Sequence, residues 1–205
     1  MKLGFTPLKA AIAKFPNPEI NPELQRLVKA NAAGKVLGDA NRTDFTFGRA
    51  LRDKSSELDY LLTWVESAIP QMAQIFASGK LKEYDVSELG YVPSGFKIRE
   101  VWGVDYAKDQ GVYFHNHFPY CMSFCYYVNV PEGAAPLILD DQEMRMETGQ
   151  VCFFLGHLFH AVPISPVEGR CVITGNISYD FYETYTKYRG DNKYNRHNTD
   201  ILTGM

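Results

Sequence analysis

The stretch Gly111–Pro131, GVYFHNHFPYCMSFCYYVNVP, places two histidines two residues apart beside a strongly apolar run. Side chains at positions i and i+2 of a strand project to the same side, so His115 and His117 can approach a single point. Imidazole is a common ligand of Fe, Zn, Cu and Ni, and a metal site needs a third donor from elsewhere in the chain. The stretch therefore predicts a strand whose end carries part of a metal site.

A third imidazole is available in the later stretch FFLGHLFHAVP. His160 begins a new apolar segment after a turn, whereas His157 lies in the turn itself, so His160 is the better candidate for the third ligand. His157 and the remaining histidine, His197, are expected to have no metal role. Three histidines at strand edges of one β domain favour a metal site over three unrelated core residues.

The chain from Phe96 onward reads as seven or eight short β segments with no helix between them, which predicts a sandwich or small barrel. Turn sequences such as KDQG, ETGQ and SPVEGR separate these segments. The predicted strands are FKIREVWGVDY, VYFHNH, SFCYYVNV, APLILDD, QVCFFLG, HAVPI and RCVITGNISYDF.

The preceding residues carry helical patterns that we expect to support the sheet. The strongest begins at Ser55 or Ser56 and ends at Gly79, with Pro70 expected to kink it or split it in two. A shorter pattern around Leu24 is expected to close at Gly34, and residues 34–54 are predicted to form a loop. The predicted organisation is a supporting segment at 1–95, a β core at 96–181 and a C-terminal extension at 182–205.

Composition narrows the classes of function. The 205 residues carry a formal charge of −3 with a pI of about 6.0, so nucleic acid or an anionic membrane surface is not an indicated partner. No apolar run reaches membrane-spanning length, and the N-terminus lacks a signal-type apolar core. A reducing, cytoplasmic setting is expected, with the four cysteines acting as small buried apolar residues.

The stretch RCVITGNISY adds a charge to the predicted site. Strand alternation places Arg170, Val172, Thr174 and Asn176 on one face. An inward-facing arginine without an acid in its own strand requires an anion, and its planar guanidinium matches a carboxylate. A metal beside such an arginine could bind a keto-dicarboxylate, whereas a structural salt bridge to an Asp or Glu is the alternative.

The pieces HNHFPYCMSFCYYVNVPEG, ETGQVCFFLGHLFHAVP and GRCVITGNISY together resemble the non-haem Fe(II)/2-oxoglutarate-dependent oxygenases, in particular the prolyl-4-hydroxylase-like branch. The resemblance covers about residues 96–179. It implies a mainly β fold with N-terminal supporting helices, namely a double-stranded β-helix, the jelly-roll variant shared with cupin-like proteins. The implied cofactors are Fe(II) and the cosubstrate 2-oxoglutarate, with ascorbate as an optional addition.

The resemblance also implies roles for individual residues. His115 and His160 would be metal ligands, and Arg170 would bind the far carboxylate of 2-oxoglutarate. Tyr127 would add a hydroxyl to that carboxylate, while Tyr126, one position out of phase, should face the opposite side. Thr174, Asn176 and Trp102 are expected to line the cosubstrate pocket.

The chain departs from the family pattern at position 117, where most members carry Asp or Glu. His117 is the preferred third ligand here, with a position behind the ligands as the alternative. Asp105 or Asp109 could supply an acid in its place. Exchanging a carboxylate for an imidazole leaves the metal site one charge unit more positive.

Three functions follow from these features. The first is an Fe(II)/2-oxoglutarate-dependent dioxygenase that hydroxylates a small molecule or a protein side chain. The second is a cupin-like three-His metal enzyme that does not use 2-oxoglutarate, and the third is a non-catalytic jelly-roll binding module. Substrate contacts are expected in ANRTDFTFGRALRDK and in the C-terminal tail, and the sequence does not indicate the oligomeric state.

Overall fold

Two antiparallel β-sheets and a layer of helices form the structure, a computed structural model that describes residues 9–35, 37–78 and 95–179. In spatial order, the seven strands of the larger sheet are β1 (Ala10–Lys14), β9 (Gln150–Leu155), β6 (Met122–Asn129), β11 (Arg170–Tyr179), β4 (Phe96–Tyr106), β3 (Asn41–Thr43) and β2 (Ala32–Lys35). The four strands of the smaller sheet are β5 (Val112–His115), β10 (His160–Val162), β7 (Leu137–Leu139) and β8 (Gln142–Met144).

Both faces of the larger sheet are covered, which explains why its central strands are nearly continuous apolar runs. On β6, Phe124 and Tyr126 pack toward the helices, whereas Cys125 and Tyr127 pack toward the smaller sheet. The predicted separation of Tyr126 from Tyr127 is therefore confirmed. In the space between the two sheets, side chains of β4, β6 and β11 meet those of β5 and β10.

The helices α1 (Asn21–Asn31), α2 (Phe47–Leu51) and α3 (Ser56–Ser78) cover the outer face of the larger sheet. The N-terminus of α3 is capped by Ser55, whose hydroxyl accepts a hydrogen bond from the Leu58 N–H at 3.2 Å. The helix continues through Pro70 and does not divide there. Its predicted end at Gly79 lies outside the described residues.

The first 54 residues hold more regular structure than the sequence indicates. Residues 34–54, predicted as a loop, contain β3, α2, the end of β2 and a 3₁₀ turn at Arg52–Lys54, so the loop prediction is wrong. The helix α1 ends at Asn31, and Gly34 lies within β2. The strand β1 was not predicted and pairs with β9 along its whole length. Tertiary pairing with a neighbouring edge, more than local propensity, determines such short strands.

From Phe96 onward the predicted strands are confirmed, and together with the helical layer they form a jelly-roll fold of the double-stranded β-helix type. The four cysteines are free, as expected, and three of them are buried. None of the described helices combines the length and the apolar character that crossing a membrane would require. The division at 95/96 stays a prediction, and the C-terminal extension lies beyond the described residues.

Candidate metal centre

Three imidazoles converge at the edge of the smaller sheet. His115 ends β5 and His160 begins β10, and the two are directly paired across these strands. His117 follows two residues after His115, in the connection that leads to β6. One ligand nitrogen from each of the three rings lies within 4.8 Å of the other two, so small ring rotations would place all three on one ion.

Backbone carbonyls orient two of the rings. The Nδ1 atom of His115 lies 2.8 Å from the carbonyl oxygen of Tyr113, and the Nδ1 atom of His160 lies 3.2 Å from that of Leu158. In each ring the contact calls for a proton on Nδ1, which leaves Nε2 with a free lone pair for a metal. The same i−2 carbonyl contact therefore selects the same metal-binding tautomer in both strands.

His117 is held by its surroundings. Its backbone N–H donates to the carbonyl oxygen of Gly156 at 2.7 Å, which ties the connection after β5 to the end of β9. Its ring lies between the rings of the other two histidines and that of Trp102, whose centroid is 5.6 Å away. His117 thus points into the same space as His115 and His160, although it lies just beyond the strand.

Burial keeps the three imidazoles neutral. It lowers the pKa of His160 to about 4, with a further contribution from His115. Burial, followed by the proximity of His160 and His115, lowers the pKa of His117 to about 3. Burial also lowers the pKa of His115. Neutral imidazole is the form that binds a metal, so the cluster is ready to bind a cation at neutral pH.

Neither alternative acid joins this cluster. The described residues contain one group of three or more His, Cys, Asp or Glu side chains able to share an ion, and it consists of the three histidines. Asp105 alternates with Val104 and Tyr106 on β4 and so faces the helical side of the sheet. Asp109 lies in the exposed turn after β4, with φ of 61°. His157 is exposed in its turn, as expected.

Arg170 lies in the same cavity as the histidines and has no acidic partner. The cavity, of about 510 Å³, is lined by the three histidines and by Arg170, which is only 1% exposed. No described Asp or Glu forms an ion pair with Arg170, and its Nη1 atom is buried without a hydrogen-bond partner. Its guanidinium lies 4.7 Å from the Tyr106 ring centroid and 5.5 Å from that of Tyr127. The salt-bridge alternative is therefore not observed within the described residues.

The other predicted pocket residues occupy three kinds of position. Trp102, Thr174 and Asn176 line the cavity with the histidines. Tyr127 is not among the residues that line this cavity; it lines a second pocket together with Arg170, and its hydroxyl is buried with no hydrogen-bond partner in the described structure. The Thr174 hydroxyl donates to the carbonyl oxygen of Phe124 at 2.7 Å, so its hydrogen is already used within the sheet.

The sequence analysis missed two charged residues that line this cavity, Lys35 and Glu100, and Glu100 is the one that contacts a predicted pocket residue. Its carboxylate accepts a hydrogen bond at 2.8 Å from the Nδ2 atom of Asn176, which is directly opposite it across β4 and β11. Arg42 and Phe45, within the segment where substrate contacts were expected, also line the cavity. The signal for Glu100 is its two-residue spacing from Trp102 on the same strand, which places both on one face.

Solved structures that are similar to this chain in fold include prolyl hydroxylases and a 2OG-Fe(II) oxygenase family member. The chain is similar to the viral collagen prolyl hydroxylase of Paramecium Bursaria Chlorella virus-1, solved as a 2OG complex, with 12% identity, a TM-score of 0.59, and coverage of 83% of this chain and 96% of that one. It is similar to a Pseudomonas putida prolyl-4-hydroxylase, with 14% identity, a TM-score of 0.57, and coverage of 83% and 92%.

A third similar structure is the prolyl hydroxylase of Trichoplax adhaerens in complex with a hypoxia inducible factor oxygen degradation domain peptide fragment. It has 11% identity, a TM-score of 0.54, and coverage of 87% of this chain and 86% of that one. No protein-family model and no curated protein matches the sequence. The fold and the cluster together define a jelly-roll protein with a three-histidine candidate metal centre, and its fold is similar to that of solved 2OG-Fe(II) oxygenases.

Proposed function

We propose that this protein is a non-haem Fe(II)- and 2-oxoglutarate-dependent dioxygenase that hydroxylates its substrate. The observation that carries the proposal is the unpaired, buried Arg170 in the same cavity as the three histidines. A buried cation without a counter-ion is costly, so the cavity favours an anionic ligand. A dicarboxylate that reaches a metal with one end and a guanidinium with the other satisfies both features.

The three histidines would hold Fe(II) through nitrogen atoms, which suit this metal. When bound, Fe(II) supplies open coordination positions and the redox chemistry that couples oxidative decarboxylation of 2-oxoglutarate to hydroxylation. Arg170 would bind the far carboxylate of 2-oxoglutarate, and the buried Tyr127 hydroxyl would donate to the same group. Trp102 and Thr174 would form walls of this pocket, and Asn176 would line the part of the cavity that is farther from Arg170.

The histidine at position 117 gives the site a distinct charge. Three neutral imidazoles leave the full charge of a divalent ion, whereas a carboxylate ligand would cancel one unit. This extra positive charge strengthens the binding of an anionic chelator such as a keto acid. Arg170 and the metal would then act together, since the metal would attract the keto-acid end of the cosubstrate and Arg170 its far carboxylate.

Metal content tests the histidine cluster. Purified protein loaded with Fe(II) or Mn(II) should contain one metal per chain, and His160→Ala should lose it. The matched control is His157→Ala, which removes an exposed imidazole three residues away and should keep the metal. Equal metal content in the two variants would contradict the assignment of His160.

Binding of 2-oxoglutarate tests Arg170. In the Mn(II)-loaded protein, Arg170→Gln should weaken 2-oxoglutarate binding by about 10- to 100-fold, because hydrogen bonds to charged groups contribute about 1.5–3 kcal/mol. Arg26→Gln, which changes an exposed arginine on α1, should leave the affinity unchanged. Wild-type protein that neither binds 2-oxoglutarate nor converts it to succinate would overturn the proposal.

The three-histidine set itself favours one alternative, a cupin-like enzyme that does not use 2-oxoglutarate. In that enzyme Arg170 would have no role at the metal. Retention of full activity by Arg170→Ala, together with an absence of succinate, would favour this alternative. Stoichiometric metal that depends on His160 would exclude the non-catalytic binding module.

The remaining assignments are part of the proposal. The substrate would be a small molecule or a protein side chain, and the setting cytoplasmic. Ascorbate stays a prediction that no contact in the described structure supports. The similar Trichoplax prolyl hydroxylase was solved in complex with a peptide fragment, which supports a protein side chain as the substrate.

A further inference from the structure

The cavity of the candidate metal centre carries a positive charge at one end, on Arg170, and a negative charge at the other, on Glu100. Arg170 is opposite Tyr106 across β11 and β4, Thr174 is opposite Trp102, and Asn176 is opposite Glu100. Six residues of strand separate the Glu100 level from the Tyr106 level, which corresponds to roughly 20 Å at about 3.3 Å per residue. The ring of His117 lies beside Trp102, between these two levels. Arg170 and Glu100 therefore lie on opposite sides of the histidine cluster.

A chain of buried polar groups holds Glu100 in this position. The fully buried Ser123 hydroxyl donates to Oδ1 of Asn176 at 3.0 Å, and Nδ2 of Asn176, which is 3% exposed, donates to Oε2 of Glu100 at 2.8 Å. Both functional atoms of the Asn176 amide are thus used to position one carboxylate. A carboxylate on the surface needs no such support, because water satisfies it, whereas here two buried polar side chains hold one carboxylate in place.

Glu100 has no cationic partner among the described residues. The two other cations that line the cavity are used elsewhere: Lys35 Nζ donates to Asn41 at 2.6 Å, and Arg42 donates to the carbonyl oxygens of Lys35 and Thr43. The Arg42 guanidinium also lies 4.0 Å from the Phe45 ring centroid. Tyr120 lies beside Glu100: burial, then the Glu100 charge and a hydrogen bond to its carboxylate, raise the pKa of the Tyr120 hydroxyl.

We propose that Glu100 binds a primary ammonium group of the substrate, and that the protein therefore acts on an alkylamine, either free or as a lysine side chain. The carboxylate accepts from Asn176 and has the Tyr120 hydroxyl beside it, so it has room for a single-point contact, which suits an ammonium better than a two-pronged guanidinium. Trp102, Phe45, Phe118 and Tyr120 line the same cavity, and aromatic faces attract cations. The inference rests on the proposed function, since it names the substrate class for that cavity.

The test compares matched cationic and neutral probes on the full chain. The free pair is pentylamine and 1-pentanol; the peptide pair is acetyl-Gly-Lys-Gly-amide and the same peptide with Nε-acetyllysine. Binding is measured by ligand-observed NMR on Zn(II)-loaded protein, which is diamagnetic, with and without 2-oxoglutarate. We expect the cationic member of at least one pair to bind about tenfold tighter than its neutral partner, because charge-assisted bonds are the stronger ones. The pair that shows the preference identifies the source of the amine.

The variant Glu100→Gln keeps an oxygen for Asn176 but removes the charge. It should reduce the cationic preference to within about twofold while leaving 2-oxoglutarate binding intact, and Glu168→Gln, an exposed acid on another loop, should change neither. Equal binding of cationic and neutral probes by wild-type protein, or no binding of either pair, would overturn the inference without any variant. Normal 2-oxoglutarate binding with no amine preference would refute this inference alone, whereas amine preference without 2-oxoglutarate binding would refute the proposed oxygenase.

Discussion

At the scale of single residues, the candidate centre depends on which nitrogen of each imidazole is free. The carbonyls of Tyr113 and Leu158 contact Nδ1 of His115 and His160, so Nε2 is the nitrogen left free for a metal in both rings. The ring of His117 is positioned by packing against Trp102 and by its backbone bond to Gly156. Orienting a ligand through its second nitrogen is a common way to tune metal sites.

The lowered pKa values of the histidines predict an acid-sensitive metal-free protein. In the unfolded chain these imidazoles titrate near 6.5, whereas in the folded protein the pKa of His160 is about 4 and that of His117 about 3. The unfolded state therefore binds more protons between these values, and the free energy of unfolding rises with pH in that range. Stability is present above about pH 6.5 and is lost as the pH falls toward 4.

Urea unfolding of chelator-treated protein at pH 7 and pH 5 would check this expectation. The comparison with His160→Gln isolates the imidazole contribution, because acidic residues elsewhere contribute equally in both proteins. We expect the difference in unfolding free energy between the two pH values to be smaller in the variant. The same difference in both proteins would contradict a buried, neutral His160.

Sequence reasoning at this scale identified groups whose direction follows from alternation. Arg170 and Thr174, which are four residues apart on β11, both face the cavity as predicted, and Tyr126 faces the helices. Glu100 was missed because its importance depends on Asn176, and that contact depends on the register between β4 and β11. Register is a property of two strands, so one stretch of sequence does not contain it.

At the scale of elements, the helix α1 packs closely against β4 at Gly103 and so supports the larger sheet from its outer face. A Cβ atom added to Gly103 would lie 2.4 Å from Cγ2 of Val28, so the helix approaches the strand as closely as a missing side chain allows. Gly103 is also bound through its N–H to the hydroxyl of Thr43 on β3, at 3.0 Å. The strand therefore has little freedom to move away.

We expect Gly103→Ala to destabilise the fold by about 1–3 kcal/mol, because overpacking forces neighbouring groups to shift. Gly34→Ala is the control, since a Cβ at that exposed strand position would meet its nearest atom, on Arg42, only at 3.7 Å; its change should stay within about 0.5 kcal/mol. Denaturant unfolding measures both. Adding Val28→Ala to Gly103→Ala should recover part of the loss, and a strictly additive double variant would argue against the contact.

Among the elements, the strands after Phe96 could be predicted because each is an apolar run bounded by turn residues. The strand β1, with the sequence AAIAK, carries mostly alanine, and β3 consists of the polar residues NRT. Neither has a strand signal of its own, and each forms because a strand edge of the larger sheet is available for pairing. This dependence on partners explains why the N-terminal third was predicted poorly.

At the scale of the whole molecule, ligands held between the two sheets should stabilise the fold. Metal and 2-oxoglutarate contact residues of both sheets in the proposed complex, so each should raise the melting temperature. At a concentration of 100 times Kd, a ligand adds about 2.7 kcal/mol, or roughly 5–10 °C for a chain of this size. In Arg170→Gln, Mn(II) should still raise the melting temperature, whereas 2-oxoglutarate should no longer raise it. Loss of both increments would indicate that Arg170 supports the histidines.

The strand β4 serves two neighbours at once, with Trp102, Val104 and Tyr106 toward the cavity and Val101 and Gly103 toward the helices. In saturation mutagenesis of residues 100–106, the kind of defect should therefore alternate from one position to the next. Even-numbered positions would alter turnover in protein that still accumulates, and odd-numbered positions would lower the yield of folded protein. Substitutions at the even-numbered positions can thus change the activity of this chain without changing the face of β4 on which its folding depends.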